Sequence, residues 1–213
     1  MRTEDLVLSL ARDIRPVPRG ALQRRVGIGL AGGAVVTMAL VMAWLGLRPD
    51  LGRAALGFPF WMKWGYTISI GSVALLATLH LARPEAGAPR RLWWLLAPTG
   101  ILAVLTIVEL STTPASGWTA LWQGQSWRVC TVKVATLSLP IFAGLMLAFR
   151  SLAPTRLRLT GAVAGLAAGA WAATLYGLHC PEVSAFFILV WYSLGILGAA
   201  AIGALIGPRL LRW

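Results

Sequence analysis

The chain has 213 residues, 58% of them apolar and 12% charged, with 19 basic and 7 acidic residues giving a formal charge of +12. A soluble domain runs at about 45–50% apolar and about 25% charged, so composition excludes an ordinary soluble fold, a disordered chain and a disulfide-dense secreted scaffold. Two cysteines can form one bridge or supply two metal ligands, but not a disulfide framework.

In chain order, residues 1–25 read as a cytoplasmic amphipathic segment ahead of a six-helix transmembrane domain over 26–213. Leu6, Val7, Leu10, Ala11 and Ile14 recur at helical spacing and form one apolar stripe, which Pro16 and Pro18 end. So short a stripe cannot bury itself, so something outside the segment must cover it. Two readings stand: a helix lying on the inner leaflet, or a peptide seated in a groove of a cytosolic protein. One short helix without a scaffold argues against direct nucleic-acid recognition.

Apolar runs of spanning length follow at Val26–Leu47, Trp64–Ala82, Leu92–Leu110, Val129–Phe149, Leu159–Leu178 and Ser184–Gly207, with Glu109 in the third and Lys133 in the fourth as their only charges. Helices are the form expected, because each backbone group must be bonded within its own segment and barrel-type alternation is absent. The predicted fold class is therefore an all-α polytopic bundle with six transmembrane helices. Gly29 and Gly33 in the first span, Gly161, Gly165 and Gly169 in the fifth, and Gly203 and Gly207 in the sixth allow close helix contacts, within one bundle or between two copies in a homo-oligomer. Pro98 and Pro140 are expected to bend the third and fourth spans. His80 reads as an interfacial polar residue.

Fourteen of the 19 basic residues fall before the first span, between the second and third, after the fourth, and in the tail. Arg48, Arg53, Lys63, Arg128 and Lys133 fall on the other side. Cytoplasmic retention of Lys and Arg then predicts both termini inside. Trp44, Trp61, Trp64, Trp118, Trp122 and Trp127 crowd the outer interface, where tryptophan anchors helices in the lipid headgroup zone, and the stretch from Ser111 to Arg128 can lie flat on the membrane.

This orientation puts Cys130, at the head of the fourth span, and Cys180, in the loop His179–Cys180–Pro181–Glu182, on the same outer side. In an oxidising compartment they can form a reversible disulfide. With His179 and Glu182 they also offer donors for a soft or borderline metal ion, although the spacing matches no zinc signature. Plain packing is the third reading. Glu109 and Lys133 lie near the outer ends of spans three and four, where they can pair or snorkel separately.

Several strings resemble one family, the bacterial six-span anti-sigma factors typified by the negative regulator of sigma factor F. They are Thr3–Glu4–Asp5–Leu6 through Leu10–Ala11, Asp13–Ile14–Arg15–Pro16–Val17, Trp127–Arg128–Val129–Cys130 and Phe149–Arg150–Ser151–Leu152–Ala153–Pro154. The most specific is Tyr176–Gly177–Leu178–His179–Cys180–Pro181–Glu182 with Phe186 and Trp191–Tyr192–Ser193–Leu194–Gly195. The resemblance implies a multi-pass protein of the bacterial inner membrane whose partner is an extracytoplasmic-function sigma factor. That factor would be held at Leu6, Val7, Leu10, Asp13, Ile14, Pro16 and Val17. It further implies that Cys130 and Cys180 sense thiol-reactive stress such as heavy metals, with His179, Pro181 and Glu182 supporting them, and that no resident cofactor is required.

Two rival functions are weaker. A membrane thiol oxidoreductase would need an adjacent reactive pair, and no Cys-x-x-Cys is present. A small transporter would place its ionisable residues nearer the midplane than Glu109 and Lys133. With no catalytic triad and no phosphate-binding glycine loop, no enzyme activity is expected.

Overall fold

The computed structural model describes residues 3–4, 20–82, 90–150 and 155–212. Within the first segment Thr3 and Glu4 are helical, and the apolar stripe with its flanking Asp13, Pro16 and Val17 lies outside the described residues.

Among the described residues the chain is helical without a strand. Helix α1 (Ala21–Leu40) runs on through a wider π turn (Val41–Leu45) and stops at Gly46, whose φ of 74° suits glycine. A short α2 (Leu51–Ala54) leads to α3 (Phe58–Leu81), which opens with Pro59 in its first turn. A 3₁₀ segment (Arg90–Leu95) feeds α4 (Leu96–Thr112). The short α5 (Trp118–Gln123) precedes α6 (Trp127–Phe149), and α7 (Leu157–Tyr176) follows. A loop then leads to the single-turn α8 (Ala185–Phe187), a π turn (Ile188–Tyr192) and α9 (Ser193–Leu210).

Six helical runs are long and apolar enough to cross a membrane, and they coincide with the six runs expected from the sequence. Their ends differ from the apolar runs in an informative way. Helix α3 begins at Phe58, before Trp64, because Lys63 is taken inside the helix and buried; an ionisable residue had ended the apolar run.

Helix α7 is the centre of the bundle and packs most extensively against α9, then against α3 and α6; α1 packs on α6. Its sequence explains this position: alanine and glycine leave a smooth surface that other helices approach closely. A Cβ on Gly161 would strike the Gly203 carbonyl and the Gly207 Cα, and one on Gly165 would strike the Ala199 carbonyl. On the other seam Gly29 faces Gly144, Gly33 faces Pro140 and Ile141, and Thr37 donates to the Leu137 carbonyl at 3.0 Å. Such a bond within a membrane bundle contributes about 0.6 kcal/mol. The glycine pairs therefore close one bundle.

Hydroxyls stitch the same core. Thr174 of α7 donates to Thr67 of α3 at 2.9 Å, and Tyr66 of α3 shares a 2.7 Å bond with Ser193 of α9. Large apolar side chains such as Val35, Ile101, Val104, Ile107, Leu147 and Leu205 are exposed around the outside, the surface that lipid tails would cover. Helix α4 is peripheral, burying only Leu102 and Thr106.

Candidate functional site

The up-and-down course of the helices brings the end of α1, the start of α3, the end of α4, the start of α6 and the end of α7 to one end of the bundle. The loop from Gly177 to Ser184 sits among them. Each neighbour holds it by a specific bond.

His179 Nδ1–H donates to the Gly46 carbonyl at the end of the α1 run, 2.9 Å away, since a carbonyl can only accept. Beside it the Arg48 amide donates to the Leu178 carbonyl at 3.1 Å. The Lys63 ammonium of α3 donates to the Cys180 carbonyl at 3.0 Å. Glu182 Oε1 accepts from the Gln125 amide (2.7 Å), the Ser126 amide (3.0 Å) and the Ser126 hydroxyl (2.9 Å), in the turn that starts α6. That turn contains Gly124 at φ 51°, where a Cβ would also run into the Glu182 carboxylate. Glu109 Oε2 at the end of α4 accepts from the Ser184 hydroxyl and the Phe186 amide, both at 3.0 Å, while Ser184 Oγ accepts from the Phe187 amide. Glu109 and Ser184 thus serve the free amides at the N-terminus of α8.

The two cysteines meet inside this frame. Both cysteines are free and fully buried, with their thiols close enough to interact. Tyr176 and Tyr192 lie beside the sulfurs with ring centroids 5.8 Å apart, and Lys63 Nζ stands 5.7 Å from the Tyr192 ring centroid. The Ser126 hydroxyl is 4.0 Å from the Cys180 sulfur. The neighbouring Cys130 thiol holds the Cys180 thiol well below its ordinary value, to about 5, with help from the Lys63 charge and the Glu182 amide and against the effect of burial. A cavity of about 130 Å³ lined by Arg48, Phe60, Lys63 and Glu182 adjoins the cluster. Arg48 is fixed there by a bidentate pair with Asp50, both contacts at 2.7 Å. Each partner favours the other's charged form, raising Arg48 and lowering Asp50.

Two sequence expectations change. Glu109 and Lys133 form no ion pair: Glu109 turns to Ser184 and Phe186, and Lys133 is half-buried elsewhere on α6. Nor does the four-donor metal set assemble, because His179 points to Gly46 and Glu182 is committed to the turn at residues 124–126. Among the described residues no three His, Cys, Asp or Glu side chains are grouped to hold a metal. Pro181 is exposed between the anchored residues.

Lys63, Ser126, Tyr176 and Tyr192 belong to the cluster although motif reasoning did not select them as site residues. The signal for Lys63 was present: Phe60, Trp64 and Thr67 flank it at helical spacing, as on a buried face.

The model of a family described as negative regulator of sigma F, NrsF, matches residues 10–213. The chain belongs to this family. The anti-sigma-F factor NrsF of Caulobacter vibrioides is 43% identical, and the probable anti-sigma-F factor NrsF of Azospira oryzae is 39% identical, each alignment covering 100% of both chains. No solved structure matches the chain. NrsF proteins are regulators rather than enzymes.

Proposed function

We propose that the chain is an inner-membrane anti-sigma factor that holds an extracytoplasmic-function sigma factor at its cytoplasmic N-terminal segment and releases it when Cys130 and Cys180 are modified from the periplasm. The names of its relatives support the anti-sigma role. The distribution of basic residues supports an orientation with both termini inside.

The observation that carries the sensing half is the convergence of four other spans on the loop that bears Cys180. A two-electron oxidant would take the electrons of both thiols, leaving a disulfide and releasing two protons. Joining the sulfurs would displace Cys180, and with it His179, which holds the end of α1. Helix α1 runs through the bundle to Ala21, next to the segment that would bind the partner. Modification outside and retention inside would thus bias one two-state arrangement. A thiol-reactive signal suits this geometry better than a resident metal, since His179 and Glu182 are spent on structural bonds.

Sigma-dependent transcription under thiol-reactive stress tests the reading in Cys130→Ser and Cys180→Ser strains. Loss of the response is expected in both; an unaltered response would remove the cysteines. Deletion of residues 2–18 should abolish co-purification of the sigma factor, and persistence of the complex would refute the docking half.

A further inference from the structure

Lys63 is buried, and among the described residues no carboxylate pairs with it: Asp50 is bound to Arg48, Glu109 to Ser184 and Phe186, and Glu182 to the turn at residues 124–126. An ammonium inside a membrane bundle needs compensating charge. Lys63 is bonded to the Cys180 carbonyl and faces the Tyr192 ring, and among the groups that can offset its charge the Cys180 thiol stands first, ahead of Cys130 and Glu182. Cys130, one turn into α6, lies beside that thiol and also feels the Lys63 charge, but behind Cys180. We infer that Lys63 is a positioning residue that makes the two thiols unequal, presenting Cys180 as the nucleophile that reacts first and leaving Cys130 to resolve the adduct.

The inference rests on the sensing role proposed above and assigns the order of events within it. The groups facing Cys180 are Lys63 from α3, Cys130 from α6, Tyr176 from α7, Tyr192 from the π turn, Arg48 from the link after α1, and Glu182 from its own loop. Lys63 and Arg48 are the cations among them, and Lys63 alone is bonded to the Cys180 residue.

Methyl methanethiosulfonate, a small neutral reagent, reads the order. The Cys180 thiolate attacks its sulfenyl sulfur, methanesulfinate leaves with the bonding pair, and a methyl disulfide forms on Cys180. Cys130 then attacks the Cys180 sulfur, its proton goes to the departing methanethiolate, and the Cys130–Cys180 disulfide remains. The full-length chain in lipid nanodiscs is treated between pH 6.5 and 8.0, quenched, and mapped by peptide mass spectrometry.

The native chain is expected to be labelled at Cys180 first and to finish as the internal disulfide. In Cys130→Ser, whose hydroxyl can still donate, the Cys180 rate should be nearly independent of pH. In Cys180→Ser, Cys130 should react at least about tenfold more slowly at pH 6.5, with a rate rising about tenfold per pH unit, as for an ordinary thiol. Adding Lys63→Met to Cys130→Ser should slow Cys180 about tenfold at pH 6.5 and restore that rise, whereas Lys63→Arg should keep the flat profile. First labelling at Cys130 in the native chain, or an unchanged Cys180 rate and profile in Lys63→Met, would overturn the inference. If Lys63→Met does not fold, the order of labelling in the native chain decides alone. No transcription is read here, so the sensing role and the order of thiol reactivity can fail separately.

Discussion

Glu182 and Ser126, 56 residues apart, are joined twice through one carboxylate oxygen, which accepts both the amide and the hydroxyl of Ser126. The bond ties the loop carrying Cys180 to the turn that launches α6, four residues before Cys130. It therefore sets the register of the two sulfurs.

Removing that carboxylate should loosen the site before it unfolds the bundle. Glu182→Ala leaves the Gln125 and Ser126 donors without their acceptor, at a cost of about 1–3 kcal/mol for the site. Glu182→Gln keeps an acceptor oxygen and should cost less. Detergent-resistance melting of the purified variants measures the difference, and the ranking native, Gln, Ala is expected.

Glu109 and Lys133 should behave as strangers. Because the carboxylate serves Ser184 and Phe186, Glu109→Ala should destabilise the α8 end while Lys133→Ala should change little. A double-mutant cycle on melting should give a coupling within about 0.5 kcal/mol of zero.

The α7–α9 seam should be intolerant of a single methyl. Gly161→Ala drives a Cβ into the backbone at Gly203 and Gly207, and overpacking of this sort costs about 1–3 kcal/mol. Gly198→Ala, with nothing within 4 Å of its new Cβ, is the control and should melt like the native chain. Membrane yield and melting of the two variants check this.

Stability should also depend on pH through Cys180. A thiol whose folded value is depressed to about 5, against an unfolded value near ~8.5, binds fewer protons in the folded state than in the unfolded state between those values. Its stabilising contribution is therefore full above the unfolded value and is lost as pH falls through the folded one. The reduced chain should melt higher at pH 8 than at pH 5.5, with a smaller difference in Cys180→Ser.

Much of the architecture was legible because lipid imposes a simple rule on sequence. The six runs announce themselves by length, and Gly161, Gly165 and Gly203 mark the tight seam. Cys130 and Cys180 could be placed on one side from the basic residues alone. Partner choice at close range was not legible. Glu109 can be paired with Lys133 on paper, and sequence gives no way to weigh that partner against the α8 amides, which have no side-chain signature. Lys63 was hidden because a charge ends an apolar run on paper, whereas in the bundle the Cys180 carbonyl and the Tyr192 ring receive it. His179 and Glu182 looked like ligands by residue type, and only the fold shows them bonded to Gly46 and Ser126.

On the proposed mechanism, chemistry at the thiols controls what the N-terminal segment holds. Its most direct test is retention of the sigma factor by the full-length chain in nanodiscs, measured by pulldown before and after thiol modification. The native chain should release the factor on modification, and Cys180→Ser should keep it under the same treatment. Equal retention by both, or equal release from both, would contradict the account.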